Sequence, residues 1–109
     1  AGPALGAIPL VTAVSIESGI PMLMIRSAKK SYGTSRLIEG DIQNGDQVVV
    51  LEDVTTTGNS LLNAIEAILK AGGIIHRAFV IVDRSEGAMD VFKEKGFEFE
   101  PLITIDELR

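Results

Sequence analysis

The sequence predicts an α/β fold in which a mainly parallel sheet is flanked by helices. Short apolar, β-branched runs alternate with stretches in which apolar residues recur at helical spacing. The runs are apolar throughout, which is typical of parallel strands covered on both faces. Charged and hydroxyl residues follow these runs directly, where open α/β sheets place their ligands. We therefore expect one domain over residues 1–109, with a site at the carboxyl ends of its strands.

The predicted elements follow one another along the whole chain. Strands are expected near residues 22–26, 47–52, 77–82 and 97–103. Helices, each ended by glycine, are expected over residues 8–19, 60–72 and 88–96. The predicted inner faces of the first two carry Ile8, Val11, Val14, Leu61, Leu62, Ile65, Ile68 and Leu69. Thr104–Glu107 has the capping-box pattern that opens a helix, whereas residues 1–9 read as a loop with no strand before it.

Composition narrows the class of protein. A chain of 109 residues can bury one modest core. The net charge of −5, with no basic patch interleaved with aromatic residues, argues against a nucleic-acid partner. The absence of cysteine excludes disulfides and is compatible with a reducing compartment. No apolar run is long enough to span a bilayer and no signal peptide is visible, so we expect a cytoplasmic protein without a membrane partner.

One stretch combines features that suit a sugar phosphate. The apolar run Val48–Leu51 ends at Glu52 and Asp53, and a hydroxyl-rich loop with Gly58 then leads into a helix. Backbone N–H groups of such a loop can converge on a phosphate, which the helix dipole also favours. The carboxylates would repel phosphate, so we expect them to face neutral hydroxyls or a cation. A ribose 5-phosphate would suit both parts of the stretch, because its phosphate fits the loop and its 2- and 3-hydroxyls fit the carboxylates. A polar strand-to-helix turn is the alternative, although it needs no carboxylate pair; a P-loop is excluded because its motif is absent.

This stretch, Glu52-Asp-Val-Thr-Thr-Thr-Gly-Asn-Ser60, closely resembles the phosphoribosyl pyrophosphate (PRPP) signature of type I phosphoribosyltransferases, in the form found in orotate phosphoribosyltransferases. The resemblance implies transfer of a phosphoribosyl group from PRPP to orotate, with Mg²⁺ held mainly by PRPP, in a homodimer. It assigns PRPP binding to Glu52, Asp53, Val54, Thr55, Thr56, Thr57, Gly58, Asn59 and Ser60. Thr55 to Ser60 would hold the 5-phosphate, and Glu52 and Asp53 the ribose hydroxyls. Asp53 would also be catalytic, and Thr56 would reach orotate.

A second segment, Gly2-Pro-Ala-Leu-Gly6, resembles the pyrophosphate loop of the same family. The resemblance implies a cis peptide bond between Ala4 and Leu5, whereas the residues alone fit a plain helix lead-in equally well. Family members are longer at the amino end, and a strand leads into this loop beside the strand of the PRPP motif. We therefore expect a sheet with a gap at its middle, in a chain that is a fragment or is completed by a partner.

A third segment, residues 27–40, is polar and without periodicity, so composition alone favours a solvated connection. Arg26-Ser-Ala-Lys-Lys-Ser-Tyr-Gly-Thr34 nevertheless resembles the mobile catalytic loop of orotate phosphoribosyltransferases. The resemblance assigns pyrophosphate contacts to Arg26, Lys29, Lys30 and Tyr32. Lys30 is its catalytic lysine by position, with Lys29 an adjacent candidate. Ser27 and Tyr32 depart from the family pattern, which commonly has lysine and histidine there.

Asp83 and Arg84 follow the third predicted strand. By themselves they fit a salt bridge or a helix-start charge nearly as well as a ligand contact. The resemblance implies that Arg84 binds the orotate carboxylate, a task that suits a planar, bidentate guanidinium. The lone histidine, His76, is expected at the surface. Two other functions stay open: a phosphoribosyltransferase for another base, and a non-catalytic PRPP-binding module.

Overall fold

The computed structural model describes residues 1–26, 37–97 and 99–108. Six strands and three α-helices occur in this part of the chain. In order they are β1 (Gly2–Pro3), α1 (Ile8–Ser18), β2 (Met24–Ile25), β3 (Ile38–Glu39), β4 (Gln47–Thr55), α2 (Asn59–Lys70), β5 (Ile74–Asp83), α3 (Ala88–Glu94) and β6 (Phe99–Thr104), followed by a 3₁₀ turn (Ile105–Leu108).

The strands form two three-stranded ladders, β1-β2-β3 and β4-β5-β6. All pairs are parallel except β2 with β3. The first residue joins the ladders: the amino group of Ala1 donates to the Val49 carbonyl oxygen at 2.8 Å, and the Leu51 N–H donates to the Ala1 carbonyl oxygen at 2.8 Å. This pattern is that of a parallel pair. The predicted mainly parallel sheet is confirmed, and the carboxyl ends of β1, β2, β4, β5 and β6 share one edge.

The prediction that residues 1–9 form a loop is wrong at Gly2–Pro3, which pair with β2. The expected gap is therefore partly filled, because the first residues lie between β2 and β4. A Cβ atom on Gly2 would collide with Val11 and would come within 2.9 Å of the Leu51 carbonyl oxygen, so only glycine fits. Beside the first residues remains a cavity of about 490 Å³, lined mainly by apolar residues that include Val11, Val14, Ile20, Leu23 and Val48.

Several strand limits differ from the prediction. β4 continues to Thr55, so Glu52 and Asp53 lie within the strand and not in the loop after it. Long-range pairing explains the extension, because Val54 and Thr55 pair with Val82 and Asp83 of β5. β3 forms within the segment predicted to be one continuous loop, at Ile38–Glu39; residues 27–36 of that segment lie outside the described residues.

The core lies between α2, α3 and the sheet. Its largest fully buried side chains are Val50, Leu61, Ile65, Ile68, Val80 and Phe92. Phe92 stacks on Phe99 with ring centroids 4.8 Å apart, which fixes α3 against β6. Two predicted inner positions are wrong, since Val14 and Leu69 are each 44% exposed. Leu69 lies beyond the edge of the apolar stripe of α2, and α1 buries only Val11 among the described residues.

Local predictions of helix ends and turns agree with the structure. Gly19, in the left-handed region with φ 73°, ends α1, and its N–H donates to the Ser15 carbonyl oxygen. The peptide bond between Ala4 and Leu5 is cis. His76 is exposed. The predicted helix start at Thr104 is only a 3₁₀ turn from Ile105. Within the described ranges, no helix has the length and apolar character needed to cross a bilayer.

Candidate active site

The loop after β4 presents an uncapped helix N-terminus. Gly58 is the N-cap residue of α2 with φ 89°, and no side chain caps the first amides. The first turn of α2 contains no acidic residue. Free N–H groups at the positive end of a helix dipole bind anions, so this loop can hold a phosphate. Thr56 and Thr57 are exposed beside it, whereas Thr55 is buried at the end of β4.

Close packing holds this loop in place. A Cβ atom at Gly58 would lie 3.0 Å from Phe92 Cε2 and 3.3 Å from the Ala88 methyl group. The loop therefore rests directly on α3, and its backbone can approach only because residue 58 has no side chain.

The two carboxyl groups of β4 lie beside this loop and have very different environments. Glu52 is only 5% exposed, and the Asp53 N–H donates to Glu52 Oε1 at 3.2 Å. Burial raises the pKa of Glu52 from 4.5 to about 8, and the neighbouring Asp53 adds to the rise. The hydrogen bond from Glu52 lowers the pKa of Asp53. At neutral pH Glu52 is therefore mainly neutral and Asp53 carries the charge, so the pair can both donate and accept hydrogen bonds from sugar hydroxyls.

The loop after β1 contacts Asp53. A Cβ atom at Gly6 would lie 3.0 Å from Asp53 Oδ2, so the backbone of residue 6 lies directly against the carboxylate. The Ala4 N–H donates to the Ile25 carbonyl oxygen at 2.7 Å, which places this loop beside the end of β2 and Arg26. Two of the predicted motifs thus meet at Asp53.

Arg26 pairs with a carboxylate in this structure. The guanidinium Nη2 of Arg26 lies 2.8 Å from Glu39 Oε1. The backbone N–H of Arg26 donates to the Leu37 carbonyl oxygen at 2.6 Å. Both side chains are substantially exposed, so the pair is worth at most about 1 kcal/mol. A pyrophosphate, with its higher charge, can compete with Glu39 for this arginine. The other predicted loop contacts, Lys29, Lys30 and Tyr32, lie outside the described residues.

Arg84 is attached to the start of the hydroxyl-rich loop. Its N–H donates to the Thr55 carbonyl oxygen at 2.9 Å, which ties the end of β5 to the end of β4. Its side chain is 55% exposed, and Nε lies 3.9 Å from Glu86 Oε2. The guanidinium is therefore open to an anionic ligand at the same edge of the sheet.

Sequence reasoning missed two features of this edge. The first is a set of backbone contacts: the backbone of Gly6 lies against Asp53, and the Thr55 carbonyl oxygen accepts the Arg84 N–H. Sequence motifs are recognised by their side chains and do not reveal such contacts. Asp83 was noted only as a partner of Arg84, yet its Oδ1 accepts the Ser85 N–H at 2.9 Å. The Asp-Arg-Ser order was a usable signal, since aspartate commonly accepts from the N–H two residues later.

Residues 1–105 match the family described as "Phosphoribosyl transferase domain". The orotate phosphoribosyltransferase of Methanothermobacter thermautotrophicus is 62% identical over 107 residues, covering 98% of this chain and 59% of that protein. The crystal structure of orotate phosphoribosyltransferase from Aeropyrum pernix superposes with a TM-score of 0.87 at 33% identity, covering 96% of this chain and 59% of that one. The enzyme of Mycobacterium tuberculosis in complex with PRPP superposes with a TM-score of 0.78 at 32% identity, covering 98% and 62%.

The similarity thus runs through almost the whole chain, while the chain spans about 60% of the length of these relatives. The family match includes the loop after β1, the carboxylates of β4 and the loop before α2, which meet at one edge of the sheet. The chain belongs to the phosphoribosyltransferase family.

Proposed function

We propose that this chain is the PRPP-binding core of an orotate phosphoribosyltransferase. The reaction transfers the phosphoribosyl group of PRPP to orotate and gives orotidine 5′-monophosphate and pyrophosphate. The observation that carries the proposal is the buried Glu52, next to Asp53, beside the uncapped N-terminus of α2. Sequence identity of 62% to a protein named orotate phosphoribosyltransferase supports orotate as the acceptor.

PRPP binds along the edge of the sheet in this proposal. The 5-phosphate accepts hydrogen bonds from the amides and hydroxyls of residues 55–60, with Gly58 allowing close approach. The ribose 2- and 3-hydroxyls lie on Glu52 and Asp53. A neutral Glu52 reduces the repulsion between the carboxylates and the phosphate. Gly6 and its neighbours present backbone groups beside Asp53, toward the pyrophosphate.

The chemistry is a substitution at ribose C1. A ring nitrogen of orotate loses its proton and forms the new bond as the bond to pyrophosphate breaks; the pyrophosphate leaves with the electron pair of that bond and can take up the proton, and positive charge develops on the ribose in the transition state. The negative charge of Asp53 lies close to the sugar and stabilises that charge. Arg26 and Lys30, with Lys29 and Tyr32 nearby in sequence, stabilise the departing pyrophosphate. Arg84 and Thr56 hold orotate, with the Arg84 guanidinium on its carboxylate.

Mg²⁺ is the expected cofactor and would neutralise charge on the pyrophosphate. Within the described ranges there is no cluster of three or more His, Cys, Asp or Glu side chains that could hold a metal ion. In this proposal Mg²⁺ would be held mainly by the phosphate oxygens of PRPP, which is how Mg²⁺ often binds in phosphate sites.

The proposed unit is the whole range 1–109 as one domain, with residues 27–40 closing over PRPP in a cytoplasmic homodimer. The family resemblance supports the domain, the loop and the dimer. Sedimentation of the purified chain tests the dimer directly, and a monomer with full activity would contradict it.

The first experiment is titration of PRPP–Mg²⁺ into the purified chain, followed by an orotate turnover assay on the same sample. Binding with turnover supports the full proposal. Binding without turnover favours the alternative of a PRPP-binding module. Turnover with another base alone in a base screen would favour a different phosphoribosyltransferase.

Two matched variants test whether PRPP binding depends on the charge of Asp53 in particular. Asp53→Asn removes the charge beside the ribose and is expected to abolish PRPP binding, whereas Asp90→Asn removes an exposed charge on α3 and should leave it unchanged. No binding by a folded wild-type chain would remove the claim for residues 52–60.

A further inference from the structure

We propose that Asp83 is a positioning residue that fixes the direction of the Arg84 side chain. The inference rests on the proposed role of Arg84 and goes beyond it, since it assigns a task to a side chain that does not touch the substrate. It follows from the burial of Asp83, from the turn that Asp83 closes, and from the way Arg84 is held between two hydrogen bonds.

Asp83 is a buried carboxyl group with a defined partner. It is the last residue of β5 and is 3% exposed, one of three buried polar or charged residues in the part of the chain that the structure describes. A buried carboxyl group is costly unless it is hydrogen-bonded. Its Oδ1 accepts the Ser85 N–H at 2.9 Å. The hydrogen bond closes a turn around Arg84.

The backbone of this turn has an uncommon conformation. Ser85 has φ 60°, and it is the one non-glycine residue with positive φ among the described residues. Side-chain-bearing residues rarely adopt this region, so the surrounding structure must hold it. The Asp83 acceptor does so directly, because its hydrogen bond fixes the peptide group between Arg84 and Ser85.

Arg84 is held on both sides. Its own N–H donates to the Thr55 carbonyl oxygen at 2.9 Å, and the following N–H is held by Asp83. With both peptide groups fixed, the Cα–Cβ bond of Arg84 has one direction relative to Thr55, where the phosphate-binding loop begins. Removal of Oδ1 frees the second peptide group and lets the side chain swing, while the Thr55 contact and the loop remain.

Asp83→Ala and Asp83→Asn separate positioning from charge. Asparagine keeps an oxygen that can accept the Ser85 N–H, whereas alanine removes it. We expect Asp83→Ala to weaken orotate binding by about tenfold or more, because a misdirected guanidinium loses its bidentate geometry, and to change PRPP affinity less than about twofold. Asp83→Asn should stay within about threefold of wild type for both ligands. Asp83→Val, an apolar residue of similar size that suits a strand, replaces alanine if that variant does not fold.

Thr104→Ala is the control. Thr104 is the neighbour of Asp83 on β6 in the sheet register, and the Ser85 N–H donates to Asp83 rather than to Thr104, so removing the Thr104 hydroxyl should leave both affinities unchanged. Equal loss of orotate and PRPP binding in Asp83→Ala would show a merely structural role and overturn the inference. Asp83→Asn as damaging as Asp83→Ala would also overturn it, since charge and not the hydrogen bond would then matter.

A second readout needs no substrate. Nuclear magnetic resonance relaxation of the Arg84 amide and Nε–Hε groups in the ligand-free protein should show increased mobility in Asp83→Ala and not in Asp83→Asn or Thr104→Ala. Unchanged relaxation in Asp83→Ala would overturn the inference. If wild-type protein does not bind orotate, the proposed function fails, and the relaxation experiment still decides the role of Asp83.

Discussion

Glu52 is a buried acid whose environment favours its protonated form. Burial raises its pKa to about 8, whereas the hydrogen bond from Glu52 lowers the pKa of Asp53 beside it. Two adjacent carboxyl groups therefore differ in charge at neutral pH because one is buried and the other accepts its hydrogen bond. This difference would suit the proposed PRPP site, in which sugar hydroxyls lie on the carboxyl groups and a phosphate lies nearby.

Glu52 should make stability fall as pH rises. Its folded pKa of about 8 lies above the ordinary value of 4.5, so the favourable protonated form is fully present below 4.5 and is lost as pH rises through about 8. Relative to Glu52→Gln, we expect the wild-type free energy of unfolding to fall by up to about 5 kcal/mol over this window, at about 1.4 kcal/mol per pKa unit. Urea unfolding at several pH values measures it. Asp53 has a lowered pKa, so its titration changes the free energy of unfolding only at more acidic pH.

The exposed residue Glu66 on α2 provides the control, since Glu66→Gln should show the pH dependence of wild type. A difference between wild type and Glu52→Gln that does not vary with pH would show that Glu52 is ionised throughout.

Lys30 is the residue expected to act on the departing pyrophosphate. If it stabilises charge that develops only in the transition state, Lys30→Ala should lower turnover by about a hundredfold with less than about a threefold change in PRPP affinity. Steady-state kinetics and titration of PRPP on the same preparation measure both. Lys29→Ala is the comparison that distinguishes the two lysines. Equal losses of turnover and affinity would contradict the assignment.

At the scale of the elements, β4, the loop and α2 form one unit whose parts depend on each other. β4 carries the carboxylates, Gly58 turns the chain, and the uncapped end of α2 faces the same edge. The inner face of α2 packs on the sheet, and Phe92 of α3 packs against Gly58 in the loop. The parts of the site are therefore positioned by one strand and by one helix whose inner face is buried.

Gly58→Ala should be more destabilising than the same change at Gly87. Both are helix N-cap glycines with positive φ, a conformation that L-residues disfavour by about 1–2 kcal/mol. Both variants are therefore destabilised by this backbone strain. A Cβ atom at Gly58 also crowds Phe92 at 3.0 Å, whereas nothing lies within 4 Å at Gly87. We expect Gly58→Ala to cost about 1 kcal/mol more in chemical unfolding. Equal costs would show that Phe92 moves aside freely.

At the scale of the whole molecule, the two ladders are joined by backbone hydrogen bonds and by packing. Among the described residues, Ala1 makes two hydrogen bonds between them, one to Val49 and one from Leu51, while α1 and α2 pack across both ladders. The loop after β1 reaches Asp53 only because this join aligns the ladders. Assembly of the site therefore depends on contacts at the middle of the sheet.

Deletion of Ala1 should weaken this join selectively. Two hydrogen bonds are lost, worth about 1 kcal/mol each, so the free energy of unfolding should fall by about 2 kcal/mol. Native-state hydrogen exchange should show the Leu51 amide losing protection, while the Arg84 amide, which donates to Thr55 within the β4-β5-β6 ladder and away from the join, retains it. Unchanged exchange at Leu51 would show that its hydrogen bond to Ala1 does not protect this amide.

The sequence by itself determined the local order of the site. Strand, carboxylates, small hydroxyl loop and helix follow one another within residues 47–70, and each part is encoded by its own pattern. Helix ends at Gly19 and Gly72 were predictable for the same reason, because the left-handed conformation depends on one residue. The resemblance of the motifs to phosphoribosyltransferases then indicated the family that the comparisons confirm.

Only the tertiary structure decided which segments pair and which atoms meet. β1 and β3 are two-residue strands that exist through their partners, and β4 extends to Thr55 because β5 continues beside it. The contacts of Gly6 with Asp53 and of Arg84 with Thr55 join residues far apart in the chain. Periodicity reports a residue's neighbours along the chain, whereas pairing and burial depend on segments that only folding brings together.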